Sequence, residues 1–174
     1  MAGNKCSKQL LNKTLIKIVQ IILENNIQNW FIGYGTLLGI VREDSCIDND
    51  DDVDIIIEKI NYDILKDSLK RHGFEFEYGY SIGNSKCILK TKQNNDYASV
   101  DFYMSSIDNM GNFRDEWMRV VYTNCYDTTN QLVKYSWNDI VLNLPFNYEM
   151  KLQKRYGLDW RIPKDSWGTG CKQL

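Results

Sequence analysis

Three observations predict an α+β fold. Residues 8–26 repeat apolar side chains at helical spacing. Short apolar or alternating runs at 29–33, 53–58, 74–80, 87–92 and 98–104 have the length and period of strands. Helical stretches at 36–42, 61–72 and 147–156 fall between and after those runs. A chain of 174 residues can bury a proper core, and it reads as one domain over 1–174.

The first helix carries Leu10, Leu11, Leu15, Ile18, Val19, Ile21 and Ile22 on one side and Lys8, Asn12, Lys13 and Lys17 on the other. Asn25-Asn26 ends it, and its expected role is packing. The apolar strand 29–33 then enters a turn in which Gly33 and Gly35 bracket Tyr34. Glycines there permit a tight turn and close approach of a ligand. The first amides of the helix 36–42 point back at that turn and can receive phosphate oxygens. A plain strand-to-helix turn explains two glycines equally well.

Residues 44–51 form a polar loop leading into the strand 53–58. Alternation puts Asp52 and Asp54 on one side, with Val53, Ile55 and Ile57 on the other. Two carboxylates so spaced can share metal ions. Without a cation, Asp48, Asp50, Asp51, Asp52 and Asp54 would repel one another. Asp48 and Asp51 also fit a solvated acidic loop. Asp54 does not, because it stands inside an apolar strand where an unpaired charge is costly. A calcium loop is excluded: its glycine would fall on Val53 and its closing glutamate on Lys59.

The helix 61–72 has Asn61 as a cap, Asp63 in its first turn, Lys70 and Arg71 in its last, and Gly73 as its stop. His72, the single histidine, suits the helix dipole better than catalysis. Residues 74–80 alternate with one aromatic face, 82–85 and 93–96 are turns, and 87–92 and 98–104 are strands. In the last of these, Asp101 faces away from Val100, Phe102 and Met104. It would reach Asp52 and Asp54 if the two strands lie close in the sheet; a surface carboxylate on an edge strand is the plainer alternative. From 105 to 144, aromatic residues are scattered through polar sequence, and short strands or loops covering the site are expected. Gly157 ends the helix 147–156.

Composition excludes several classes. A net charge of −2 offers no large basic field, so duplex nucleic acid is not the expected partner. Five widely spaced cysteines without a Cys-x-x-Cys pair suggest free thiols, not a zinc site or a disulfide framework. The apolar segment 10–23 is broken by Lys13, Lys17 and Gln20 and does not span a membrane. With no signal peptide evident, a cytoplasmic location is expected. The final Cys171-Lys172-Gln173-Leu174 lacks the aliphatic middle of a prenylation box. Asn12-Lys13-Thr14 is a glycosylation sequon by pattern only.

The block Gly35-Thr36-Leu37-Leu38-Gly39-Ile40-Val41-Arg42, followed by Asp50-Asp51-Asp52-Val53-Asp54-Ile55, resembles the LicD/fukutin family. The closing Lys154-Arg155-Tyr156-Gly157-x-x-Trp160-x-x-Pro163 is similar to that family's last motif, and Val100-Asp101-Phe102 matches loosely between. Asp48-Asn49 stands where the family carries Pro-Trp. The resemblance implies a nucleotidyltransferase (polymerase-beta-like) fold, a mixed twisted sheet flanked by helices. It implies transfer of a phospho-alcohol group (phosphocholine, ribitol phosphate or glycerol phosphate) from a CDP-activated alcohol to a hydroxyl, often of a glycan, with release of CMP. Asp52, Asp54 and Asp101 would hold Mg²⁺ or Mn²⁺, with Asp101 either binding a second ion or accepting the acceptor's proton. Gly35 and Thr36 would hold the donor pyrophosphate, and Asp50 would support the ligands. Arg42, almost two turns beyond Gly35, would either offset donor charge or steady the acidic loop through an ion pair. The alternatives are a nucleotidyltransferase releasing pyrophosphate, a metal-dependent glycosyltransferase and a non-catalytic nucleotide-binding module.

Overall fold

The computed structural model describes residues 4–77, 86–164 and 174. Helix α1 (Lys8–Glu24) starts at Ser7, whose hydroxyl accepts the Leu10 amide at 3.3 Å, and strand β1 (Trp30–Ile32) follows. Helix α2 (Tyr34–Glu43) precedes strand β2 (Asp52–Glu58). A turn of 3-10 helix leads into α3 (Tyr62–Arg71). Strands β3 (Ile88–Lys90), β4 (Ser99–Ile107), β5 (Phe113–Asp115) and β6 (Val120–Tyr122) come next. Strands β7 (Val133–Trp137) and β8 (Ile140–Leu144) and helix α4 (Tyr148–Tyr156) complete the order.

Among the described residues, six strands form one mixed sheet in the order β1-β2-β4-β5-β6, with β3 also on β4. Strands β2 and β4 run parallel and the other pairs antiparallel. The long β4 takes β2 along one edge, and β3 and β5 in succession along the other. The architecture is therefore the expected α+β one, a mixed sheet with helices against it.

The two sheet faces have different fates. Val53, Ile55, Ile57, Val100, Phe102 and Met104 enter the main core with the apolar stripe of α1 and with Leu65 and Leu69 of α3. On the opposite face, Phe31, Ile56, Ile88 and Tyr103 form a second cluster with Phe113 and Tyr122. Asp52, Asp54 and Asp101 lie on this second face, where the apolar cluster gives way to carboxylates. One link across the layers is Thr14, which donates to the Leu10 carbonyl at 2.8 Å and accepts the Ala98 amide at 2.9 Å.

Several details depart from the sequence expectation. Asn61 does not cap α3; its amide donates to the carbonyls of Gln28 and Glu58, tying the turn to the β1 entrance. Of the run 74–80, the described part makes only a single bridge, Phe76 to Thr91. Its remainder, the turn 82–85 and Cys171-Lys172-Gln173 lie outside the described residues. The segment 133–144 does not cover the site. It is a hairpin turning on Asn138 (φ 44°) and Asp139 (φ 61°), the left-handed pair of a tight two-residue turn. Its Trp137, Leu142 and Leu144 close the main core instead. His72 lies at the end of α3 with Nε2 3.4 Å from the Glu24 carboxylate. No helix among the described residues is long and apolar enough to cross a membrane.

The acidic loop 44–51 is moored rather than free. Asp48 accepts the Lys8 amide at 2.9 Å, Asn12 accepts the Cys46 amide at 2.9 Å, and the Trp137 indole donates to the Asp44 carbonyl at 2.9 Å. Cys6 pairs by backbone with Asp50 and Asn49. The loop lies so close over α2 that a Cβ on Gly39 would sit 2.6 Å from the Ser45 carbonyl oxygen. Gly39→Ala is expected to lower stability by about 1 kcal/mol or more in urea titration, although alanine gains about 1 kcal/mol of helix propensity. A stability gain would show that the loop can retreat from the helix.

Candidate active site

Helix α2 receives no side-chain cap from its own N-cap residue, Gly33. The missing acceptor comes from β2. Oδ2 of Asp54 accepts the Gly35 amide at 2.9 Å and the Thr36 amide at 3.4 Å. In return, the Thr36 hydroxyl accepts the Asp54 amide at 2.8 Å, and the Gly33 amide donates to the Asp54 carbonyl at 3.0 Å. The Tyr103 hydroxyl donates to Oδ1 of Asp54 at 3.2 Å. Asp54 is thus 5% exposed with both carboxylate oxygens bonded. The first α2 amides, which the sequence suggested for donor phosphate, are directed at this carboxylate.

The turn into α2 also differs from expectation. Gly33 is extended (φ −117°), and its bareness serves packing: a Cβ would meet Ile56 Cγ1 at 2.8 Å. The left-handed residue is Tyr34 (φ 41°), a conformation costing a non-glycine residue about 1–3 kcal/mol. Its ring packs edge-on against Tyr103 at 4.8 Å and Tyr122 at 5.8 Å, and its hydroxyl donates to the buried Asp115. The Arg155 guanidinium lies 4.5 Å from the centre of the same ring.

The parallel register sets Asp54 beside Asp101 and Asp52 beside Ser99, so Asp52, Asp54 and Asp101 share a face. Asp54, Asp52, Asp51 and Asp50 line a cavity of about 230 Å³ together with Tyr34, Gly35, Tyr103, Arg155 and Tyr156. Carboxylate oxygens of Asp50, Asp51 and Asp52 come within 4.8 Å of one another. Asp101 is set behind this wall, 8% exposed, and its Oδ1 accepts from Lys90 at 2.7 Å. Thr36 is buried behind the cavity with its hydroxyl engaged by Asp54. Arg42 does not reach the cavity; its Nε donates to the neighbouring Glu43 at 2.8 Å.

Burial and mutual repulsion dominate the electrostatics. Burial raises the Asp52 carboxyl to about 8, and the charges of Asp101 and Asp51 add to the effect. Burial raises Asp50 to about 6, against the Asp51 amide that holds its charged form. Asp54 is raised well above the carboxylate range by burial, then by Asp52, Asp50 and Asp101. Burial also raises Asp101, while the adjacent Lys90 opposes it. Crowded hard oxygen donors that repel one another are the donor set that suits Mg²⁺ or Mn²⁺. The residues present therefore fit a divalent ion.

Sequence reasoning assigned no role to Lys90 or Arg155. Lys90 was legible only as a charge inside an apolar run, and Arg155 only as a member of the closing motif.

The family model described as LicD/FKTN/FKRP, nucleotidyltransferase domain, matches residues 26–156. The chain belongs to this family. Its fold agrees with solved nucleotidyltransferases. The lincomycin-bound lincosamide antibiotic adenylyltransferase LnuA superposes with a TM-score of 0.55 at 13% identity, covering 86% of each chain. The solution structure of the antibiotic-resistance factor ANT(2'')-Ia gives a TM-score of 0.51 at 11% identity, over 79% of this chain and 66% of that one. A search of curated proteins finds no sequence match. The LicD-family chain has a nucleotidyltransferase fold and is a transferase of the nucleotidyl- or phosphotransferase type. Metal dependence is general in the family, and the acidic cluster is consistent with it.

The raised carboxyls have a measurable consequence. Asp52 ordinarily titrates near 3.8 and is held at about 8 in the fold, so the folded state binds more protons between those values. Stability is then greatest at low pH within that window and falls as pH rises through it. The melting temperature without divalent ion is expected to fall from pH 5 to pH 8, and excess Mg²⁺ or Mn²⁺ should flatten the decline. An unchanged slope in Asp52→Asn would show that other groups cause it.

Proposed function

We propose that this LicD-family chain moves a phospho-alcohol group (phosphocholine, ribitol phosphate or glycerol phosphate) from a CDP-activated alcohol to a hydroxyl, releasing CMP. A glycan hydroxyl is the favoured acceptor. The observation that carries the reading is the wall of Asp52 and Asp54, with Asp101 in register, sharing its cavity with Arg155.

Asp52 and Asp54 would hold Mg²⁺ or Mn²⁺, with Asp50 and Asp51 beside them. When bound, the ion supplies positive charge and Lewis acidity to the donor phosphate. The remaining parts belong to the chain. The Gly35 and Thr36 amides fix the orientation of the Asp54 carboxylate. Arg155, stacked on Tyr34, presents a second positive charge from the cavity lining to the donor pyrophosphate. Tyr34 and Tyr156 offer aromatic surface against which the donor can rest. The acceptor oxygen bonds to phosphorus as its proton passes to Asp101, and the phosphorus–oxygen bond to CMP breaks with its electron pair leaving on CMP.

A second reading has one observation in its favour. LnuA is named as a lincosamide antibiotic adenylyltransferase and ANT(2'')-Ia as an antibiotic-resistance factor, and transfer of a nucleoside monophosphate would release pyrophosphate instead. Product analysis separates the two: CMP for the proposed reaction, pyrophosphate for the second.

Incubation with CDP-choline, CDP-ribitol and CDP-glycerol and an acceptor glycan should release CMP only with divalent ion present. Asp54→Asn should abolish that turnover; retained turnover would sink the metal assignment. Arg155→Gln should raise KM for the donor about ten- to a hundredfold, the loss expected for one hydrogen-bonded charge. An unchanged KM would leave Arg155 with a packing role only.

A further inference from the structure

Lys90 is the basic residue that the acidic site holds from within. It is 4% exposed and stands on β3 directly across from Asp101 in the antiparallel register. Its Nζ lies 2.7 Å from Asp101 Oδ1 and 3.5 Å from Asp52 Oδ2. The ammonium therefore lies against both of the carboxylates that a second divalent ion would have to bridge. Its backbone is held as well, since its carbonyl accepts the Glu77 amide at 3.0 Å. A buried lysine leaves two carboxylates only at the expense of stranding three charges, and a metal ion bridging the two would face an ammonium at contact distance.

We infer that Lys90 takes the place of a second ion, so that the site binds one divalent ion on the Asp50, Asp51, Asp52 and Asp54 side and Asp101 is not a metal ligand. This rests on the metal reading proposed above. Lys90 is a positioning residue: it supplies fixed charge behind the wall and engages Oδ1 of Asp101. Asp101 is left to the acceptor side of the reaction.

The test is Mn²⁺ binding to the full chain, read from the electron paramagnetic resonance of the free ion with CMP present and matched CMP blanks. Wild type should bind one Mn²⁺ per chain. Lys90→Met should bind two, because the vacated gap retains both carboxylates, and Lys90→Arg should bind one. Asp101→Asn should keep one ion with affinity within about tenfold of wild type, the lower range for a group outside the coordination sphere. That variant keeps the test decisive if Lys90→Met does not fold. Two ions in wild type, one in folded Lys90→Met, or loss of the ion in Asp101→Asn overturns the inference while leaving the metal reading intact. No Mn²⁺ bound by wild type overturns the metal reading itself.

Discussion

The bond pair between the Asp54 carboxylate and the first amides of α2 joins the two halves of the site. It fixes the start of the helix to strand β2, which also carries Asp52, and the Thr36 hydroxyl in turn accepts the Asp54 amide. Charge-assisted bonds of this kind contribute about 1.5–3 kcal/mol each. The effective penalty for burying a carboxylate is also several kcal/mol. The two nearly cancel, so the neighbouring carboxylates decide the balance. Asp52, Asp50 and Asp101 all push Asp54 toward its neutral form. The Asp54 carboxylate is thus fully hydrogen-bonded yet crowded by like charge, a setting that a divalent ion would fit.

The surrounding structure holds the acids together against that repulsion. Parallel pairing of β2 and β4 sets Asp101 beside Asp54, and the loop carrying Asp50 and Asp51 is tied down by the N-terminal segment through Cys6, Lys8 and Asn12. On the far side of the cavity lining, Tyr34 is kept in its left-handed conformation by two aromatic neighbours, Asp115 and Arg155. The carboxylate repulsion is local to the cavity, while the main core behind the sheet is built largely of apolar side chains. That division leaves the core to supply the stability that the polar face consumes.

Much of the architecture was legible in the residues. The helical stripe of α1, the alternation of Asp52 and Asp54 against Val53, Ile55 and Ile57, and the stop at Gly157 are local patterns, and each appears where its period places it. The segment 105–144 was less legible because its strands are short and pair at a distance. Nothing local marks the hairpin as core rather than cover. The turn chemistry of Asn138 and Asp139 was its one readable sign.

The sequence alone determined the helices, the strands that carry the acids, the acidic motif and the likeness to a nucleotide-handling family, because those reside in spacing along the chain. Only the tertiary structure decided what each group faces. Gly35 and Thr36 turn their amides to Asp54, Arg155 arrives at the cavity from α4, and Lys90 reaches both Asp52 and Asp101 from β3. Those outcomes depend on strand register and on helices packed from distant parts of the chain. Register is a property of pairs of segments, and a periodicity read along one segment carries no information about its partner.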